Sequence, residues 1–297
     1  MKKIAIKLTA LLAAAVLLFG VVGCSKSSGK YENLGVDTMV HSDNPLKFAK
    51  QKLYSFDYSD FTVNESILKD QLEDGFAYYY NLDVDDVFYE YRKEVGLDTK
   101  GGNSFNYNTS NWYGTGRAII GQWLSGLCRM YAYTGDQKFK DRADEYVSIM
   151  AECVAINPGT VFDPVHYGWE KTLTGLMDAY EFCGNQTAYE LVDKCMQFGM
   201  DTLGESRLLG ANGDEWYTIS GPCYRAAEML GNSSYMIFAS SWEYMTFWDI
   251  FYNNEDLFTE SIIDGTLVYK PDPANSNFPE FFHAYSHLNS IVCAMEC

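Results

Sequence analysis

Apolar residues recur through the middle of the chain at intervals of three and four, the spacing that gathers them on one face of an α-helix. Ile120, Leu124, Leu127 and the pair Met130–Tyr131 form one such stripe, and Phe139, Ala143, Val147 and Met150 form another soon after it. The two are joined by MYAYTGD (Met130 to Asp136), and related turns follow as AYEFCGN (Ala179 to Asn185) and AAEMLGN (Ala226 to Asn232). The turn glycines Gly135, Gly184 and Gly231 stand 49 and then 47 residues apart. Each lies where a helix needs a left-handed residue to stop, and the Asp or Asn after it can accept hydrogen bonds from the first turn of the next helix. The repeating unit is therefore expected to be a pair of antiparallel helices.

Strand patterns are scarce. Gly, Asn and Pro gather between units, in DTKGGNSFNYNTSN (Asp98 to Asn111), AINPGTVFDP (Ala155 to Pro164) and YKPDPANSNFPE (Tyr269 to Glu280), which read as loops. Hairpins repeating every 50 residues or so predict an all-α chain, either an open solenoid or a closed (α/α)-toroid. Aromatic and polar residues cluster at the start of the first helix of each unit: Asn111-Trp112-Tyr113 with Arg117, His166-Tyr167 with Trp169-Glu170, Glu215-Trp216-Tyr217, and Phe282-His283 with Tyr285 and His287. Recurrence at one phase of the repeat predicts that they emerge on one rim and line a basin, which favours the toroid. The plainer alternative is that these rings staple the hairpins together.

Composition narrows the chemistry. Of 297 residues, 47% are hydrophobic and 16% aromatic, too apolar for a disordered chain. A formal charge of −18 argues against nucleic acid and other polyanions, since phosphate backbones require clustered Lys and Arg. A neutral ligand fits better, and 23 Tyr and 6 Trp offer the flat, half-polar surfaces that suit sugar rings.

The N-terminus has a different pattern. Lys2, Lys3 and Lys7 precede an apolar run from Leu8 to Val22, as in a secretory signal. That run is too short for the roughly 20 residues of a permanent membrane span. It ends Val21-Val22-Gly23-Cys24, which resembles a bacterial lipobox, and SKSSGK follows as a flexible tether. The expected organisation is a signal peptide over 1–23, a lipidated Cys24 with its tether over 24–50, and one helical domain over 51–297. An exported, membrane-anchored lipoprotein facing outward is the matching location. The remaining cysteines, Cys128, Cys153, Cys183, Cys195, Cys223, Cys293 and Cys297, lack the spacing of a zinc ribbon or disulfide knot and are expected to be free thiols.

Carboxylates are the local route to sugar chemistry, because most glycosidases use a pair flanking the bond. Glu170 is the candidate catalytic residue, with Glu215 or Glu243 as its partner; the competing reading is an ordinary salt-bridged side chain. Trp112, Tyr113, Trp169 and Trp216 are expected to stack on sugars. Arg117, Gln122, His166, His283, Tyr285 and His287 are expected to complete the binding surface. Cys293 and Cys297 share a helical face, but no metal site is expected, because buried helix thiols explain them as well. No phosphate loop or dinucleotide fingerprint is present.

Four blocks, in order, also carry a resemblance: LDVDDVFYEYRKEVGL (Leu82 to Leu97), GRAIIGQWLSGLCRMYAYTGDQKFKDRADEYV (Gly116 to Val147), YGWEKTLTGLMDAYEFCGN (Tyr167 to Asn185) and HAYSHLNSIVCAM (His283 to Met295). Together they resemble the β-L-arabinofuranosidase-like enzymes of glycoside hydrolase family 127 and its relatives. The resemblance implies an (α/α)6-toroid of the six-hairpin glycosidase type, incomplete here with about four hairpins, and action on plant-type or other oligosaccharides, including β-L-arabinofuranosides. It also implies a cysteine nucleophile beside zinc, in a region beyond Cys297, so zinc is implied for a full-length homologue and no cofactor for this segment. Where the family often shows two histidines, this chain has Arg117 and Gln122, and Glu170 stands where a further family histidine falls. A ring short of two hairpins is expected to leave apolar inner faces exposed and the segment poorly soluble, and without the implied Cys/zinc region the segment is expected to be inactive. A lipid-anchored glycan-binding or helical scaffold protein without catalysis is the alternative.

Overall fold

The structure, a computed structural model, describes residues 56–104, 117–203, 215–253 and 284–296. The expected signal peptide, Cys24, its tether, Trp112, Tyr113 and His283 lie outside the described residues. Within them there are helices and no strand.

A 3-10 turn (Tyr58–Asp60) and three helices come first: α1 (Ile67–Tyr80), α2 (Val84–Val87) and α3 (Tyr89–Glu94). The hairpins follow. Helix α4 (Arg117–Thr134) turns into α5 (Gln137–Ile156), and the short α6 (Pro158–Phe162) leads to α7 (His166–Cys183), which turns into α8 (Gln186–Thr202). A 3-10 turn (Trp216–Thr218) opens α9 (Ser220–Leu230), which reverses into α10 (Ser233–Ser240); α11 (Met245–Tyr252) and α12 (Ala284–Glu296) complete the described set.

The turns are built as the repeat predicts. Gly135, Gly184 and Gly231 have φ of 69°, 69° and 63°. After Gly184, the amides of Gly184 and Asn185 reach back to the carbonyls of Tyr180 (2.8 Å) and Ala179 (3.1 Å), closing the last turn of α7. The Asp136, Asn185 and Asn232 side chains then accept from the amides of Lys138, Ala188 and Ser234, capping α5, α8 and α10. Each hairpin is fixed by a donor and an acceptor that only two adjacent residues need to supply.

The resulting all-α toroid has α4, α7, α9 and α12 as inner staves and α5, α8 and α10 as outer ones. Helices α4 and α7 run parallel and pack along most of their length. Two glycines make this approach: a Cβ on Gly121 would lie 2.4 Å from the Lys171 carbonyl oxygen, and one on Gly175 would lie 2.4 Å from the Gly121 carbonyl oxygen. Backbone therefore meets backbone at the crossing, which any larger residue would prevent. The core between inner and outer layers holds Leu124, Leu127, Tyr146, Met150, Trp169, Leu173 and Leu176, all nearly inaccessible.

The inner faces differ from expectation. On α4 and α7 the axis-facing positions are polar: Gln122, Ser125 and Arg129 on one, Glu170, Thr174 and Asp178 on the other. Their spacing of three and four residues runs as a stripe opposite the apolar one, so these helices are amphipathic toward the axis as well. Helix α12 does show an apolar face, with Tyr285, Leu288, Val292 and Met295 exposed along it. No helix among the described residues is long and apolar enough to cross a membrane.

Candidate functional site

Between the inner staves lies an open cavity of about 500 Å³, within the size range of small-ligand sites. Gln122, Ser125 and Arg129 reach it from α4, Glu170, Lys171 and Thr174 from α7, Pro222 and Arg225 from α9, and Tyr285, Asn289, Val292 and Cys293 from α12. Helix spacing explains the convergence: each stave contributes residues one turn apart, so the lining descends in layers.

The upper layer is organised around Lys171. Its ammonium lies 2.5 Å from a Glu170 carboxylate oxygen, with both side chains buried. It also hydrogen-bonds the Tyr285 hydroxyl and sits 5.1 Å from the ring centroids of both Tyr167 and Tyr285. Burial opposes the charge on Lys171, but the Glu170 carboxylate and the Tyr285 hydroxyl hold its pKa above the ordinary lysine value. The other Glu170 oxygen accepts from Thr174 Oγ1 at 3.0 Å. Gln122 Nε2 approaches the hydroxyls of Tyr167 and Tyr285, 3.4 Å from each. Burial, reinforced by the neighbouring Tyr285, pushes the Tyr167 phenol up, so Tyr167 remains a neutral hydrogen-bonding group.

The floor is a second ionic group. Asp178, fully buried, accepts from Ser125 Oγ (2.5 Å) and Arg129 Nε (2.8 Å) and pairs with Arg225 at 2.6 Å. Arg225 also pairs with Glu181, and Arg129 donates to the Tyr58 hydroxyl at 2.6 Å. One carboxylate thus ties α4, α7 and α9 together beneath the cavity. Within a chain of charge −18, the cations at the cavity are each matched by a carboxylate, so the space offers hydrogen bonds without a net charge. That combination suits a polyhydroxyl ligand.

The expected site residues divide sharply. Gln122, Glu170 and Tyr285 meet at the cavity. Trp169 does not: its indole is buried against α8, where Nε1 donates to the Cys195 carbonyl at 2.9 Å and the ring fills the space left by Gly199. Trp216 is buried too, packed on Tyr217 and Tyr244. Neither indole presents a face on which a sugar could stack. His166 packs edge-on to Trp242, and His287 is enclosed by Tyr217 and Phe247. Among the described residues, the rings of His166, Trp169, Trp216 and His287 therefore staple the hairpins together, the plainer of the two sequence readings, while Glu170 and Tyr285 of the same clusters reach the cavity. Arg117 opens α4, and its side chain falls outside the described residues.

Neither suggested carboxylate partner is among the residues lining the cavity. Glu243 accepts from Tyr224 at 2.5 Å, and burial raises its pKa. Glu215 holds a left-handed conformation, φ 32°, ahead of the 3-10 turn, and its charge is felt at Tyr167. Lys171, Arg129, Asp178 and Arg225 were not expected at the site. The signal for them was the polar residue every three or four positions inside otherwise apolar helices, a second periodicity beneath the first.

The resemblance noted above implies a cysteine nucleophile beside zinc. Cys223 lies near Cys195, Cys293 and Glu170. Even so, no three His, Cys, Asp or Glu side chains among the described residues are grouped to hold a metal ion. Cys195, Cys223 and Cys293 are all buried among the helices.

A search among curated proteins gives no match. The family model for "Beta-L-arabinofuranosidase, GH127 catalytic domain" matches residues 60–288, which spans the inner staves α4, α7 and α9 and the start of α12. With its hairpin toroid and polar axial cavity, the chain belongs to this family of glycoside hydrolase-like catalytic domains.

Proposed function

We propose that this protein is a lipid-anchored glycoside hydrolase that takes short oligosaccharides, β-L-arabinofuranosides among them, into the axial cavity. The observation that carries this reading is the meeting of Gln122, Glu170, Lys171 and Tyr285 in one polar, charge-balanced cavity inside the family-matched region. Glu170 is the ionisable contact to the sugar, and Lys171 holds it in place. Gln122, Tyr285 and Asn289 supply hydrogen bonds to hydroxyl groups. The helical domain spans 51–297 in this proposal, and Cys24, after removal of residues 1–23, carries the lipid that places it on the outer surface of a cell.

The engagement of both Glu170 oxygens, by Lys171 and Thr174, favours a second reading in which the cavity binds glycans without cleaving them. One assay separates the two. The purified chain is offered β-L-arabinofuranosyl disaccharides and a panel of aryl glycosides, and both sugar release and calorimetric binding are measured. Hydrolysis that falls roughly 10²-fold or more in Glu170→Gln supports the enzyme. Saturable binding without turnover selects the binding protein, and neither binding nor turnover refutes both. Separately, replacement of Cys24 by Ser should release the protein from membranes into the medium; unchanged membrane retention would refute the anchor.

A further inference from the structure

We propose that Cys128 and Cys183 are a dithiol pair that oxidises to a disulfide joining the inner staves α4 and α7. Parallel helices hold a constant register, and three contacts fix it here. Gly121 lies against Lys171 and Gly175 through backbone approach. Ser125 hydrogen-bonds Asp178 at 2.5 Å, and Arg129 reaches the same carboxylate at 2.8 Å. Cys128 stands one turn below Ser125, and Cys183 one turn and a residue below Asp178. Continuing the register brings the two thiols face to face, and they interact directly. They also share surroundings, since each senses Asp178 and Asp144.

The two thiols are unequal in a way that suits exchange. Cys128 is fully enclosed, and burial pushes its thiol up. Cys183 closes α7 next to the Gly184 turn and retains slight exposure. The hydrogen bond from Cys128 lowers its pKa, and nearby Lys140 acts in the same direction. Cys183 is thus the attacking group. The oxidant is a low-molecular-weight disulfide such as oxidised glutathione. The Cys183 thiolate attacks one of its sulfurs, forming a mixed disulfide and expelling one thiolate. Cys128, losing its proton, then attacks the Cys183 sulfur and expels the second. The protein thiols lose two electrons, the small disulfide gains them, and the two protons end on the released thiols.

Other thiols differ. Cys195 and Cys223 are fully buried, with burial raising both thiols, and burial likewise raises Cys153 on α5. The bond would close a loop of about 55 residues, long enough to restrict the unfolded chain and raise the melting temperature.

The test needs no variant. Trypsin places Cys128 alone in peptide 118–129 and Cys183 alone in peptide 172–194. The reduced native chain is equilibrated with oxidised glutathione, alkylated in denaturant and digested without reductant. A linked 118–129/172–194 species, about 2 Da lighter than its separated parts and released by dithiothreitol, is the expected result. The same oxidation carried out in urea should scatter links among all the cysteines. Recovery of both peptides separately alkylated, or linkage of Cys128 to any other cysteine in the native sample, would overturn the proposal. Sugar binding or cleavage plays no part in the readout.

Discussion

Glu170 and Lys171 are neighbours in sequence whose side chains turn to the same cavity and pair at 2.5 Å, although both are almost wholly buried. Removing one charge strands the other. Glu170→Gln should cost about 3–5 kcal/mol of stability, because it leaves an uncompensated buried ammonium. The double change Glu170→Gln with Lys171→Met should recover much of that loss. Urea denaturation of the wild type, Glu170→Gln, Lys171→Met and the double variant checks this, and additive losses in the double variant would show that the pair is not coupled.

Asp178 is the more exacting case, since two arginines and a serine depend on it. Asp178→Ala should destabilise the fold by about 3–5 kcal/mol, more than Glu181→Ala, whose carboxylate is partly exposed. A melting series on the two variants gives the order directly.

The indole of Trp169 was expected to bind sugar, and the structure assigns it to the core. Trp169→Ala should therefore cost about 3–5 kcal/mol in stability, and Trp169→Phe about 1–2 kcal/mol, mainly through the lost hydrogen bond to the Cys195 carbonyl. Sugar affinity of the folded Phe variant should be unchanged. A stable Phe variant with lost affinity would return Trp169 to the site.

That reversal shows what the sequence could tell. The caps at Gly135, Gly184 and Gly231 depend on one residue's backbone freedom and its neighbour's side chain, so local sequence was sufficient to place them. The site depends on how helices are rotated about their axes. Trp169 and Glu170 are adjacent, and a rotation of 100° between successive residues sends one to the core and the other to the cavity. Phase along the chain located the rim but could not say which side of the helix faced inward. The polar stripe of Gln122, Ser125 and Arg129 carried that information, because a buried apolar face and a polar face on the same helix fix its rotation.

Gly121→Ala should destabilise the chain by about 1–3 kcal/mol through overpacking, since the added methyl group would lie 2.4 Å from the Lys171 carbonyl oxygen. The displaced α4 should also move Gln122 away from Tyr167 and Tyr285. Calorimetry on this variant, alongside Gly126→Ala, whose Cβ meets open space, isolates the crossing. Gly126→Ala should be neutral or slightly stabilising, because Ala favours the helix over Gly; comparable losses in both would point away from the contact.

Alkaline pH should unfold the protein progressively. Burial pushes the Cys153 thiol up to about 11, and burial together with the Asp193 carboxylate pushes the Tyr235 phenol up to about 12. In each case the folded value is the higher one, so the fold keeps a proton that the unfolded chain gives up. Stability is then complete below the ordinary values and falls as the pH rises through the folded ones, between about 9 and 12. Lys171, a base with a raised pKa, adds to the loss in the same direction. Melting temperatures measured from pH 8 upward should decline from about pH 9; a flat profile to pH 11 would contradict this.

The crossing of α4 and α7 has a meaning for redesign. Two staves that touch through their peptide groups cannot slide or spread to admit a bulkier guest, so the cavity has one rigid wall and its preferences are written in replaceable side chains. Exchanges at Gln122 or Thr174 alter what the wall recognises while its frame stays fixed, which makes this pair of helices a natural place to retune the protein toward a different sugar.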